Sequence, residues 1–170
     1  EVGGGIYTSY SDATIYGSTI SYNSASRTTE KGGGGLYVTQ TPISVDLGNS
    51  TIFGNSASNI GGAIYVATSG LVAMAAVTIS ENVTAQGYDV HNEGVLEVYN
   101  TIIDGGCTPD AEPLVSWGGN LVSPLDLCGL DQHPRCRRRH SVVGRQRGHR
   151  RQVALQGAHP ERCAHPAGRS

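Results

Sequence analysis

The stretch NSTIFGNSASNIGGAIY, residues 49–65, places Ile52 three residues before Asn55 and then runs into Gly-Gly-Ala-Ile-Tyr. Both halves recur along the chain. The glycine half stands as GGGIY at residues 3–7, GGGLY at 33–37 and GGAIY at 61–65, and decays to GYDVHN at 87–92. The Ile-x-x-Asn half stands as STISYN ending at Asn23, STIFGN ending at Asn55 and VTISEN ending at Asn82, with a degenerate NTIIDG at 100–105. From Tyr7 to Tyr37, Tyr65 and His91 the steps are 30, 28 and 26 residues. Landmarks that keep their order while the period shortens indicate a repeat architecture with variable loops.

The residue types between the landmarks choose the kind of repeat. Segments such as PISVDLGNSTIFGN and GVLEVYNTIID alternate with period two and are rich in β-branched residues, Gly and Asn, so helix is not expected before residue 105. A propeller blade needs roughly 40 to 50 residues per unit. The observed period suits one coil of a parallel β-helix with three short strands. The expected fold is therefore all-β, a right-handed parallel β-helix of about four coils over residues 1–105. Its handedness follows the general preference of parallel crossovers.

In such a solenoid each strand pairs with its equivalent one coil away, ~4.8 Å distant, so equivalent side chains stack in columns. Ile20, Ile52, Ile79 and Ile102 are expected to form one inward column, and Ile6, Leu36, Ile64 and Val90 another. Asn23, Asn55 and Asn82 form an expected ladder at a corner, where amides bond to their copies and Asn tolerates a left-handed backbone. Gly34, Gly35, Gly61 and Gly62 serve the other corner, having no Cβ to obstruct positive φ or a close approach of coils. On this reading the Asn and Gly residues are turn formers without a ligand role.

Ile-x-x-Asn followed by Gly-Gly-[Ala/Gly]-[Ile/Leu] resembles the paired FxxN and GGA[IL] repeats of polymorphic outer-membrane protein passengers, with Ile in place of Phe. The closing stretch NTIIDGGCTPDAEPLVSWGGNLVSPLDLCGL, residues 100–130, resembles the end of choice-of-anchor Q domain proteins, where a last coil gives way to a Cys-containing segment, GxNL and CGL. The resemblance covers residues 1 to about 131. It implies a right-handed parallel β-helix on a secreted or cell-surface bacterial protein, and says little about biochemistry. The loop-rich segment 106–131 reads as a cap. In a secreted chain Cys107 and Cys128 are best read as a disulfide closing the last coil, adding about 3 kcal/mol, with two buried thiols as the alternative.

Composition divides the chain. Residues 1–132 carry 13 acidic side chains against Arg27 and Lys31, a net charge of −11, and hold all eight Tyr. Residues 133–170 carry ten Arg against Glu161, a net of +9, with no Ile, Phe, Tyr or Trp to build a core. The Arg-rich tail, 132–170, has three readings. One is a basic arm for phosphates, and another a zinc site from Cys107, Cys128, Cys136 and Cys163 with tail His, though no CxxC or HxxxH spacing supports it. The third is an out-of-frame product of a GC-rich gene. Codons permitted for GRQRGH at 144–149, shifted by one nucleotide, spell Ala-Asp-Asn-Gly-Gly. We expect this tail to be disordered or out of frame, and no specific nucleic-acid partner is assigned.

Parallel β-helices also carry polysaccharide lyases and glycoside hydrolases, whose chemistry needs convergent carboxylates, usually with a cation against a uronate. The aligned columns supply no such group: Glu81 aligns with Gly54 and Tyr22, and Asp46 has no acidic equivalent one coil away. Only Asp89, Glu93 and Glu97 lie close in sequence, and they are the place to look for catalysis. Tyr7, Tyr37 and Tyr65 read either as an exposed stripe for sugar stacking or as a stack filling a corner. The sequons at Asn49 and Asn82 are read as accidental. The chain opens inside a repeat, and we read it as the C-terminal part of a longer passenger with no membrane span in these residues and an open first coil prone to association. No cofactor or metal is expected. The expected role is a surface-exposed or secreted, adhesin-like scaffold contacting a host or cell-surface protein or a carbohydrate. The alternative is a fragment of a carbohydrate-active β-helix enzyme whose catalytic coils lie elsewhere.

Overall fold

A computed structural model describes residues 3–26, 31–39, 43–108, 112, 114–123 and 128–130. The Arg-rich tail, Arg27, Cys136 and Cys163 lie outside the described residues. The first coil holds β1 (Ile6–Ser9), β2 (Ala13–Tyr16), β3 (Thr19–Ser21) and β4 (Ser24–Ala25). The second holds β5 (Leu36–Thr39), β6 (Ile43–Gly48), β7 (Thr51–Phe53) and β8 (Ser56–Ala57). The third holds β9 (Ile64–Val66), β10 (Gly70–Ala75), β11 (Thr78–Ser80) and β12 (Val83–Thr84). The fourth holds β13 (Val90–Asn92), β14 (Val95–Tyr99) and β15 (Ile102–Asp104), and β16 (Val115–Ser116) and β17 (Leu121–Ser123) extend two of the sheets. Every strand pairing is parallel, in four stacked sheets, and no described residue is in an α-helix. The protein is an all-β parallel β-helix.

Each of the first three coils contains four strands where three were expected. The additional one is the two-residue strand after each ladder Asn. Such a strand is too short to display period two, which is why alternation does not reveal it.

Alternation within the longer strands fills the core. Val45, Val72 and Leu96 stack in one column and Leu47, Met74 and Val98 in the next, all essentially inaccessible. Ile6, Leu36, Ile64 and Val90 are in register, and Cys107 continues their column through a bridge to Val90. Ile20, Ile52 and Ile79 are buried in register, but the fourth member is Ile103, 1% exposed, while Ile102 is 43% exposed. The turn residue explains this one-place correction. Asn49 and Asn100 both adopt a left-handed backbone, and Ser50 and Thr101 each return a hydroxyl to the carbonyl two residues back. Counting from that shared turn puts Ile103 opposite Ile79, and a slip of one residue exchanges the two faces of a strand.

The corners follow from backbone sterics. Tyr22, Gly54 and Glu81 have φ of 56°, 61° and 55°, so the left-handed residue is the one before each ladder Asn rather than the Asn itself. The Asn turns its amide to the inside of the corner, and the tight bend falls on a neighbour that is glycine or, as Tyr22 and Glu81, has an exposed side chain. The glycine turns pack against this same corner rather than a separate one: a Cβ on Gly35 would lie 3.2 Å from Asn55 Nδ2, and a Cβ on Gly34 would lie 2.2 Å from the Gly62 carbonyl and 2.6 Å from that of Ser56 in β8. Gly62 likewise faces Val83 of β12. Among the described residues the fourth coil shows no equivalent short strand, and there the column admits Tyr88, whose carbonyl accepts the Gly62 amide.

Candidate functional site

The Asn corner is a continuous relay. The Nδ2 groups of Asn23 and Asn55 donate to Asn55 Oδ1 and Asn82 Oδ1, both at 3.0 Å, and the same oxygens accept the backbone amides of Asn23 and Asn55. Asn55 Nδ2 also reaches the Ile20 carbonyl at 2.9 Å. The fourth coil has Gly106 where the next Asn would stand, because Ile103 aligns with Ile79. Asp89 takes over. It arises from the alanine position of the GGA motif, is 1% exposed, and accepts Asn82 Nδ2 at 3.1 Å together with the Asn82 backbone amide. Burial pushes its carboxyl up to about 6; the two Asn82 bonds oppose that rise and nearby Asp104 adds to it.

At the first sheet, Tyr7, Tyr37, Tyr65 and His91 stack with ring centroids 5.5, 4.8 and 5.1 Å apart. The stack passes from half-exposed Tyr7 to Tyr65 and His91, which are almost fully covered. Glu93, at the turn after β13, accepts the Tyr65 hydroxyl at 2.8 Å and Lys31 Nζ, and lies 3.2 Å from His91 Nε2. Partial burial pushes Glu93 up, but the bonds from Lys31, Tyr65 and His91 outweigh it and hold the carboxyl at about 2. Burial and the Glu93 carboxylate together push the Tyr65 hydroxyl well above the usual phenol range. Lys31 thus crosses the Tyr65 ring, 5.9 Å from its centroid, and pairs with an acid of the fourth coil.

The outer face of the second sheet bears a trough of about 330 Å³. Its floor is Gly48, Ala73 and Ala75, with Tyr16 and Thr14 at one end, Glu97, Tyr99 and Trp117 at the other, and Asp46 beside the floor. Glu97 Oε2 accepts the Trp117 indole N–H at 3.2 Å.

Asp89, Glu93 and Glu97 therefore have separate partners: the Asn relay, the Tyr–His stack and the Trp117 indole. Asp46 is flanked by Thr14 and Ala73, and Glu81 aligns with Gly54 and Tyr22 through their shared left-handed turn. Cys107 and Cys128 are joined in a disulfide, which removes both as thiolates for a zinc site. Among the described residues no three His, Cys, Asp or Glu side chains are grouped to hold a metal, and no helix is long and apolar enough to cross a membrane. Asn82 is buried in the relay, whereas Asn49 is exposed. The relay-capping role of Asp89 and the Lys31–Glu93 pair were missed in the sequence. The first was legible from Asp standing where GGA has Ala, and the second, 62 residues apart, gives no local sign.

Residues 49–67 match the family model of the Chlamydia polymorphic membrane protein (Chlamydia_PMP) repeat. The match falls on one copy of the unit that recurs through the coils, and it supports the resemblance to polymorphic outer-membrane passengers. No curated protein and no solved structure matches the chain.

Proposed function

We propose that this chain is a non-enzymatic β-helix scaffold of a surface-exposed or secreted protein, passenger-like and adhesin-like, whose role is contact and display. The observation that carries the reading is the separate engagement of Asp89, Glu93 and Glu97, the acids grouped in sequence. Asp89 is committed to Asn82, and Glu93 is saturated by Lys31, Tyr65 and His91, whereas glycosidic or lyase chemistry needs carboxylates converging on one bond. The match of residues 49–67 to a membrane-protein repeat supports an outer-membrane or surface association.

Protease shaving of intact cells expressing the full gene, read by mass spectrometry, tests the location. Peptides from residues 1–131 are expected in the shaved fraction, and their protection until lysis would overturn the surface assignment. The catalytic alternative is tested on purified protein against a polysaccharide panel. Release of reducing ends or unsaturated products that disappears in an Asp89→Asn, Glu93→Gln, Glu97→Gln triple variant would replace this reading with the carbohydrate-active one.

A further inference from the structure

We infer that the trough on the outer face of the second sheet is a binding subsite for a non-acidic saccharide. The inference deepens the contact role proposed above but does not depend on where the protein is located.

Three observations carry it. First, the register leaves a gap between aromatic flanks. Tyr16, Gly48, Ala75 and Tyr99 occupy one outward column, and Trp117 follows Tyr99. Small side chains on β6 and β10 keep the floor low between Tyr16 on β2 and Tyr99 on β14, strands that are three steps apart, ~14.4 Å. Second, the flanks present aromatic surface to solvent: Tyr16, Tyr99 and Trp117 are 73%, 49% and 53% exposed. The Cδ2–Cε2 edge of Tyr16 rests where a side chain at position 48 would begin, 2.5 Å from an ideal Cβ, so Gly48 is what lets this ring lean over the floor. Third, the polar groups at the rim include the Asp46 and Glu97 carboxylates and the Thr14 hydroxyl, and no Lys or Arg lines the trough among the described residues.

These features select the ligand chemistry. An apolar partner would have to strip water from two carboxylates and offer no donor in return. A uronate would meet two like charges within a segment of net charge −11. A pyranose ring presents C–H faces to the aromatics and hydroxyl donors to the carboxylates, and its rigidity limits the conformational entropy lost on binding. A flexible cationic peptide satisfies the charges but has no rigid ring to place in the gap.

Trp117 is the single tryptophan of the chain, so its emission reports on this trough alone. The full chain is titrated with N-acetylglucosamine, glucose and galactose oligomers, with a hexagalacturonate and with hexalysine. At least one non-acidic oligosaccharide is expected to shift Trp117 emission saturably, the uronate to leave it unchanged, and hexalysine to bind more weakly. Tyr16→Ala and Asp46→Asn, with unaltered circular dichroism, are expected to weaken binding about five- to tenfold. Tyr10→Ala, outside the trough, leaves it unchanged. Absence of a saturable shift with every oligosaccharide, equal binding of the uronate, tighter binding of hexalysine, or an unchanged Kd in Tyr16→Ala each overturns the inference. Protection from shaving in intact cells would overturn the surface assignment and leave this result standing.

Discussion

Asn82 donates through Nδ2 to Asp89 Oδ2 at 3.1 Å, and Asp89 thereby ends a relay that began at Asn23 two coils earlier. Without it the last amide of the relay would face a coil that supplies no Asn. The acid is held in a buried corner, with a Cβ at Gly105 excluded because it would lie 2.4 Å from the Asp89 carboxyl carbon.

Asp89 makes stability depend on pH in a defined direction. Its folded value of about 6 lies above the ordinary 3.8, so the folded state holds a proton more tightly than the unfolded one. The resulting contribution is complete below about pH 4 and is lost as pH rises to about 6, a change of about 1–3 kcal/mol. Glu93, held at about 2 against 4.5, acts in the opposite sense: its contribution is present above pH 4.5 and is lost as pH falls towards 2. Urea unfolding from pH 3 to 8 is expected to show the decline between 4 and 6, and Asp89→Asn is expected to abolish it. An identical slope in the variant would refute the assignment.

The middle rung of the relay matters more than its end. Asn55 is fully buried and bonded on both sides, whereas Asn23 is partly exposed and bonded on one. Replacing Asn55 by Ala is expected to cost about 2–4 kcal/mol in urea unfolding, and Asn23→Ala about half as much or less. Equal losses would argue against a relay whose interior rung is doubly engaged.

The register of the fourth coil can be tested directly. Ile103→Ala removes a core side chain and should cost about 2–5 kcal/mol, while Ile102→Ala at a largely exposed position should stay within about 0.5 kcal/mol. Denaturation midpoints of the two variants decide it, and a reversed order would restore Ile102 to the core column.

The Cys107–Cys128 bridge links Cys107, next to Val90 in the last coil, to Cys128, whose carbonyl accepts the Leu114 amide. Its reduction is expected to lower stability by about 3 kcal/mol, read as a shift of the urea midpoint with and without dithiothreitol. Unfolding that is insensitive to reductant would indicate a bridge whose loop is already constrained by packing.

The repeated Ile-x-x-Asn and Gly-Gly-x-[Ile/Leu] units were enough to establish the parallel β-helix, because a motif repeated once per coil must stack on itself. They also placed Asn23, Asn55 and Asn82 in one column, since the spacing between the two landmarks is local. What the local pattern left open was set by contacts between coils. Ile102 and Ile103 are chemically identical, and only the left-handed turn shared by Asn49 and Asn100 assigns one of them to the core. Asp89 reads in the sequence only as one of three neighbouring acids, and the missing Asn of the fourth coil makes it the end of a relay. The trough of Tyr16, Tyr99 and Trp117 likewise draws its walls from different coils, so its geometry comes from strand register and from Gly48 making room for a neighbouring ring. Repetition along one chain determines which residues stack, whereas the interruption of that repetition is given meaning only by the neighbouring coil that it faces.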